Sequence, residues 1–138
     1  MSLINAEMIA PCGLNCALCK RALQRDTPCQ GCRGPYEVKS RYCKEICHIW
    51  TCDKLMQNQW RYCDACPEYP CEEIIEKETR YGSQYPVKES PMDNLKNIRK
   101  MGMESFLASE HEKWMCPKCG GIICVHTARC SDCDEDIS

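Results

Sequence analysis

The chain has too few large apolar residues to fold around a hydrophobic core alone. Leucine, isoleucine, valine and phenylalanine make up about 15% of its 138 residues, with one phenylalanine and three valines. Such a composition is typical of disorder when net charge is high, but the formal net charge here is only −2. The composition therefore predicts a small fold with a thin core that needs an additional cross-link.

Long apolar segments are also missing. The first residues, MSLINAEMIAPCG, show no basic start followed by an apolar run, so no signal peptide is predicted. No later stretch approaches the length of a membrane span. These absences predict a cytoplasmic protein without a membrane partner, in a reducing compartment where disulfides are rare.

What the chain has in abundance is cysteine, with 16 residues or about 12% of the sequence. Eleven cysteines lie between Cys12 and Cys71, and five lie between Cys116 and Cys133. Five pairs have the C-x2-C spacing, at which a tight turn lets two thiolates bind one metal ion. Disulfide scaffolds usually spread their half-cystines, so spacing and compartment together favour metal binding over disulfides.

The C-terminal cysteines give the most specific pattern, C-x2-C-x10-C-x2-C. Its four predicted ligands are Cys116, Cys119, Cys130 and Cys133. This spacing is typical of a tetrahedral four-cysteine zinc site in a ribbon hairpin, with a short strand over residues 122–125. Cys124 on that strand is interpreted as a buried small hydrophobe, and His126 as a residue that supports the fold rather than a ligand.

A second quartet has nearly the same format, C-x2-C-x9-C-x2-C. It consists of Cys16, Cys19, Cys29 and Cys32. Gly31, inside the second pair, is expected to adopt a positive φ in a tight turn. Cys12 is a rival ligand, because Cys12, Cys16 and Cys19 form an alternative triplet.

For the third predicted site, the spacing allows several different sets of ligands. The interpretation that repeats the format of two pairs and a loop takes Cys47, Cys52, Cys63 and Cys66. Alternatives pair Cys43 with Cys47, draw on Cys71, or let His48 replace a cysteine. With all three quartets the predicted cofactors are about three Zn²⁺ ions.

The fold class predicted from these patterns is a small metal-stabilised α+β protein. An irregular helical, cysteine-rich part with zinc knuckles is predicted over residues 1–89, bridging helices over 90–113, and a zinc ribbon over 114–138. Helical patterns cover residues 14–25, 39–59, 71–81 and 103–113. Between Ser90 as N-cap and Gly102 as stop, a further helix begins with Pro91. The middle of the chain contributes apolar residues to the predicted core, namely Ile46, Ile49, Trp50 and Leu55.

Several phrases resemble a small prokaryotic family of cysteine-rich, zinc-binding type known as domain of unknown function 3795. They are APCGLNCALC over residues 10–19, CQGCR over 29–33, CDACPEYPC over 63–71, and NLKNIRKMG over 94–102. The resemblance spans nearly the whole chain. It implies that Cys12 and Cys71 belong to the motif, which makes them additional candidate ligands. It implies no particular activity.

Three classes of function follow from these observations. A non-enzymatic zinc protein, an interaction or adaptor module with a protein partner, is favoured because closed four-cysteine sites leave no open coordination position. No catalytic residue is predicted, since the three histidines (His48, His111 and His126) form no recognisable constellation with serine and carboxylate.

The first alternative is an iron–sulfur or redox protein that uses the triplet Cys12, Cys16 and Cys19, whose spacing matches that of radical-SAM clusters. Against this activity, such chemistry normally occupies a barrel much longer than this chain. The second alternative is a nucleic-acid-binding zinc protein, supported by a mildly basic region over residues 20–44. Zinc-bound thiolates would lower the net charge to about −8, which disfavours nucleic acid as a partner.

Overall fold

Six α-helices form the regular structure in residues 3–45, 47, 49 and 51–137, which are the residues described by the computed structural model. They are α1 (Lys20–Leu23), α2 (Arg41–Glu45), α3 (Asp53–Asn58), α4 (Glu72–Ser83), α5 (Pro91–Met101) and α6 (Met103–Lys113). Four short 3-10 turns add to them at Ala6–Met8, Cys16–Leu18, Tyr36–Val38 and Cys63–Ala65. Predictions that concern Ile46, His48 and Trp50 lie outside the described residues.

The α part of the predicted α+β class is confirmed, whereas the zinc-ribbon hairpin is not. Strand pairing in the described residues is limited to isolated bridges, three of them within the C-terminal segment. Ile123, in the predicted strand, forms an isolated antiparallel bridge with Cys130, and its amide donates to the Trp114 carbonyl at 2.9 Å. Turns that close around cysteines occupy most of this segment, so it has little room for a continuous ladder.

The long helices follow their sequence signals closely. Ser90 caps α5, because its side chain accepts a hydrogen bond from the Asp93 amide, and Pro91 occupies the first turn. Gly102, with φ +85°, ends α5 and separates it from α6. Helix α4 begins directly after Cys71 and extends two residues beyond the predicted end.

The two predicted helices that contain several cysteines are broken in the structure. Over residues 14–25, a 3-10 turn and α1 are separated by Cys19, whose ψ of 138° is extended. Among the described residues between 39 and 59, the helices are α2 and α3. Periodic apolar residues in these segments are interrupted by thiols that point toward shared cavities, so tertiary packing overrides the helical pattern.

Two apolar clusters form the core. The first joins the beginning of the chain to its end, with Leu18 and Ile4 packed against Trp114, Ile123 and Val125. The backbone contributes as well, since the Val125 amide donates to the Leu18 carbonyl at 2.9 Å. The predicted domain boundaries at residues 89 and 113 stay predictions, but residues from the first and the last predicted domain pack together in this core.

The second cluster surrounds the middle cysteines. It contains Ile49, Leu55 and Ile74 together with Cys12 and Cys63, all of which are buried. Ile49 and Leu55 are therefore core residues, as predicted. Because four of the seven residues in this cluster are alanine or cysteine, thiols occupy much of the volume that larger apolar side chains fill in other small folds.

Candidate metal-binding sites

The C-terminal quartet comes together in one cluster. The sulfurs of Cys116, Cys119, Cys130 and Cys133 all lie within 4.8 Å of one another. Across the cluster, the Sγ atoms of Cys116 and Cys133 are 3.7 Å apart, and those of Cys119 and Cys130 are 3.3 Å apart. A tetrahedral ion with metal–sulfur bonds of about 2.3 Å requires edges of about 3.8 Å. The four thiols can therefore hold one metal ion after small adjustments.

Tight turns in the backbone produce this arrangement. The Cys116 amide donates to the Gly121 carbonyl at 2.7 Å, which closes the first C-x2-C loop. Gly120 has φ +81°, a conformation that residues with a side chain rarely adopt. Backbone amides of Gly121 and Asp132 then point at the sulfurs of Cys119 and Cys130, each at 3.4 Å. These N–H groups stabilise negative charge on sulfur.

The electrostatics of the quartet favour one thiolate before any metal arrives. Burial raises the pKa of the Cys130 thiol, but amides of Cys133 and Asp132 and the neighbouring thiols outweigh burial and bring the pKa to about 7. For Cys119 the Gly121 amide lowers the pKa, whereas hydrogen bonds with Cys130 and Cys133 raise it to about 12. Cys130 thus carries the first negative charge, whereas the pKa values of Cys119 and Cys133 are raised and these two thiols keep their protons. A metal ion would have to displace those two protons.

Cys124 and His126 lie in the same segment but outside the cluster. Cys124 is buried, as predicted. The Nδ1 atom of His126 accepts a hydrogen bond from the Lys20 amide at 3.1 Å, and its ring packs edge-on against Tyr85. Burial, followed by the charges of Arg80 and Lys20, lowers the pKa of His126. A neutral histidine therefore joins the C-terminal segment to α1, which is the fold-supporting role that the sequence predicts.

The cysteines of the first cluster are arranged differently. No further set of three or more histidine, cysteine, aspartate or glutamate side chains lies so close together in the described parts of the chain. Of the three predicted single-ion sites, the C-terminal quartet is the one whose ligands lie this close together in the described residues. Ten of the eleven thiols between Cys12 and Cys71 line two cavities, which share Ile49 as a wall.

The first of these, the thiol cavity, is lined by six cysteines and has a volume of about 70 Å³. They are Cys12, Cys16, Cys19, Cys32, Cys43 and Cys47. Of the predicted quartet, Cys16, Cys19 and Cys32 line this cavity, whereas Cys29 is buried and does not line it. The predicted rival Cys12 does line it. The turn at Gly31 has φ +88°, as predicted, and packs against Met8 and Cys16.

The second, the four-thiol cavity, has a volume of about 310 Å³. Its thiols belong to Cys52, Cys63, Cys66 and Cys71. Of the predicted quartet, Cys47 lies at the thiol cavity instead, and Cys71 takes the remaining position. Arg99 on α5 fixes the edge of this region through a bidentate ion pair with Asp64, at 2.8 and 2.9 Å. Spacing along the chain gave no reason to prefer Cys71 over Cys47 as a ligand. The family resemblance, in contrast, implied that Cys71 is a candidate ligand.

Burial is the main influence on the deep thiols. It raises the pKa of Cys12 and of Cys16 well above the ordinary value, and repulsion from Cys32 adds to the effect at both. For Cys32 and Cys63, burial and then neighbouring cysteines raise each pKa to about 12. These thiols keep their protons at neutral pH when no metal is bound. A cation in either cavity would reverse this tendency, because thiolates are the form that binds metal.

Two lysines and a glutamate are buried beside the thiol cavity, and no sequence pattern indicated any of them. Lys77 lines the cavity and is 2% exposed. Lys39 is equally buried, and its ammonium donates to the carbonyls of Gly31 and Cys32 at 2.8 and 2.6 Å. Glu89 is also buried and lines the cavity. A run of charged residues usually indicates a solvated face, so such positions are recognisable only after folding.

Glu89 belongs to a polar network that holds the first cysteine phrase in place. Its Oε2 atom accepts hydrogen bonds from the Asn15 amide at 2.8 Å and from Asn94 at 3.1 Å. Asn15 also donates to Glu110 at 3.2 Å. Burial, partly offset by the Asn15 amide, raises the pKa of Glu89 to about 8. The segment between Cys12 and Cys16 is thereby attached to α5 and α6.

Close packing at Gly13 strengthens the same attachment. Gly13 has φ +100°, and a Cβ atom there would lie 2.3 Å from the Pro91 carbonyl oxygen. Its neighbour Asn94 donates to the Gly13 carbonyl at 2.8 Å. Only glycine fits between the cysteine phrase and the start of α5, which explains the CGLNC phrase in physical terms.

Comparisons with family models, with curated proteins and with solved structures find no significant match for this chain. Within the described residues, the longest helix has 12 residues and none is long and apolar enough to span a bilayer. The chain is thus a cysteine-rich protein whose described residues contain six α-helices and a four-cysteine cluster that can hold a metal ion.

Proposed function

We propose that this chain is a non-enzymatic metal-binding protein whose C-terminal four-cysteine site holds a structural Zn²⁺ ion. The observation that carries the proposal is the set of four sulfurs within 4.8 Å of one another, close to the edges of a tetrahedral thiolate site. Four cysteine ligands saturate a tetrahedral zinc ion and leave no position for substrate. We also propose membership of the resembled family, domain of unknown function 3795.

A structural role is supported by the position of the cluster in the fold. Cys116 and Cys130 are buried members of the same apolar cluster as Leu18 and Trp114. A metal ion there would cross-link two turns that pack on the first core, in a segment where pairing is limited to single bridges. Because the unfolded chain lacks a preformed site, the binding free energy would contribute directly to folding.

An interaction or adaptor role follows from the closed site, with protein favoured over nucleic acid as the partner. The two cations of the C-terminal segment lie beside carboxylates. Lys118 is 3.3 Å from Glu135, and Arg129 lies 3.7 and 3.8 Å from Asp134 and Asp136. Phosphate contacts require cationic side chains that are free to neutralise them, so this segment is a poor match to a nucleic-acid backbone.

Elemental analysis of purified protein tests the zinc site. We expect one zinc per chain to disappear in Cys133→Ser, because a hydroxyl is a far poorer zinc ligand than a thiolate. Cys124→Ala is the matched control: this cysteine lies in the same segment outside the quartet, and its variant should retain the ion. If Cys133→Ser bound as much zinc as the unmodified chain, the C-terminal site would not be its location.

A further inference from the structure

The thiol cavity offers more sulfur ligands than a single metal ion can use. Six of the chain's 16 cysteines face this one space of about 70 Å³. In the portion of the chain that the structure describes, no three of the six have sulfurs within 4.8 Å of one another. Ligands of one tetrahedral zinc ion would be about 3.8 Å apart. The spacing in the cavity is therefore wider than that of a mononuclear site.

An iron–sulfur cluster accommodates ligand sulfurs that lie farther apart than the ligands of one ion. In a [4Fe–4S] cluster each cysteine binds a different iron atom, so the ligand sulfurs surround an inorganic core instead of one ion. The thiols of the cavity come from several directions. Cys12, Cys16 and Cys19 belong to the first cysteine phrase, Cys32 follows the turn at Gly31, and the last two lie on or just after α2.

Buried positive charge at the cavity favours an anionic occupant. Lys77 lines the cavity and interacts electrostatically with Cys12. Lys39 approaches from the side of Cys32, where its ammonium contacts the backbone carbonyl at 2.6 Å. Desolvated ammonium groups are stabilised by nearby negative charge. A cluster held by four thiolates is anionic, so the two buried ammonium groups would stabilise it.

We propose that the thiol cavity binds an iron–sulfur cluster of the [4Fe–4S] type, held by four of its six cysteines, with Cys32 among them. Cys32 lines the cavity, and its backbone is held beside the buried Lys39, whose ammonium donates to the Cys32 carbonyl. Six thiols are enough to bind every iron, so no iron has to remain open for a substrate. This site is independent of the zinc site proposed above.

The test begins with protein purified without oxygen from iron-supplemented cells. We expect about four iron atoms and four acid-labile sulfides per chain, in addition to zinc. The iron-edge X-ray absorption spectrum of the unmodified protein should contain iron–iron scattering, a measurement that requires no variant to fold. In Cys32→Ser, iron and labile sulfide should fall to background while zinc stays at the unmodified level. Retained zinc reports that the variant is folded.

Two control variants separate the cavities. Cys29 is the C-x2-C partner of Cys32, but it is buried outside the thiol cavity. Cys29→Ser should therefore leave the iron content unchanged. Cys71→Ser removes a thiol of the four-thiol cavity and should likewise leave it unchanged. Iron lost in Cys71→Ser and kept in Cys32→Ser would overturn the assignment. So would protein that contains zinc in place of iron and no labile sulfide.

Discussion

The C-terminal quartet and the thiol cavity use the same residue and much the same local spacing, but they are different kinds of site. The quartet gathers four sulfurs within 4.8 Å near the surface, where Cys119 and Cys133 are exposed. The thiol cavity spreads six sulfurs around an enclosed space, and Cys12 is 2% exposed. The comparison teaches that a C-x2-C turn fixes only how two thiols relate to each other. Packing decides how many ligands share one centre.

Thiol alkylation gives the largest expected difference between the two regions. In metal-free, reduced protein, Cys119 and Cys133 should react with iodoacetamide about 10²-fold faster than Cys12, or more, because the pKa is raised at all three thiols and only Cys12 is buried. Exposed thiols need no opening of the structure, whereas buried thiols react only after local unfolding. Time-resolved peptide mass spectrometry measures each rate. Equal rates would show that the thiol cavity opens when no metal is bound.

Gly13→Ala should disrupt the N-terminal region selectively. The added Cβ would collide with the Pro91 carbonyl at 2.3 Å, and φ of +100° is strained for alanine. We expect a loss of more than about 2 kcal/mol in the free energy of unfolding, measured by urea denaturation. Gly82→Ala is the control, because nothing lies within 4 Å of a Cβ there and alanine favours the helix α4. A mild effect of Gly13→Ala would contradict the close packing of the cysteine phrase on α5.

Glu89→Gln should change how the free energy of unfolding depends on pH. The folded pKa of about 8 lies above the ordinary value of 4.5, so between these values the unfolded chain is ionised while the folded chain keeps its proton. Stability from this group is fully present below pH 4.5 and is lost as pH rises toward 8. The slope is at most about 1.4 kcal/mol per pH unit.

Denaturation of both proteins at several pH values between these limits gives the difference in slope. Glutamine keeps an oxygen for the amides of Asn15 and Asn94 but does not titrate, so its slope should be smaller. Metal binding to thiols makes its own contribution, of opposite sign, in both proteins. Identical slopes would mean that Glu89 is ionised alike in the folded and unfolded chains.

Sequence patterns predicted the parts of this fold that depend on neighbours along the chain. Ser90, Pro91 and Gly102 delimit α5 because capping and positive φ are local properties. The C-terminal quartet is local in the same sense, with its two turns only ten residues apart. The membership of the other sites could not be predicted in this way. Cys47 and Cys52 are close in sequence, but they face different cavities.

The amino-acid sequence by itself determined that this protein is rich in cysteine and that its last cysteines form one quartet. These conclusions need only composition and the short reach of a turn. The tertiary structure alone decided that Cys63 and Cys71 line one cavity, that Cys32 lines another without Cys29, and that Lys77 lies buried among thiols. The physical reason is that enclosure and long-range contact arise when separate segments pack, and no spacing along the chain encodes them.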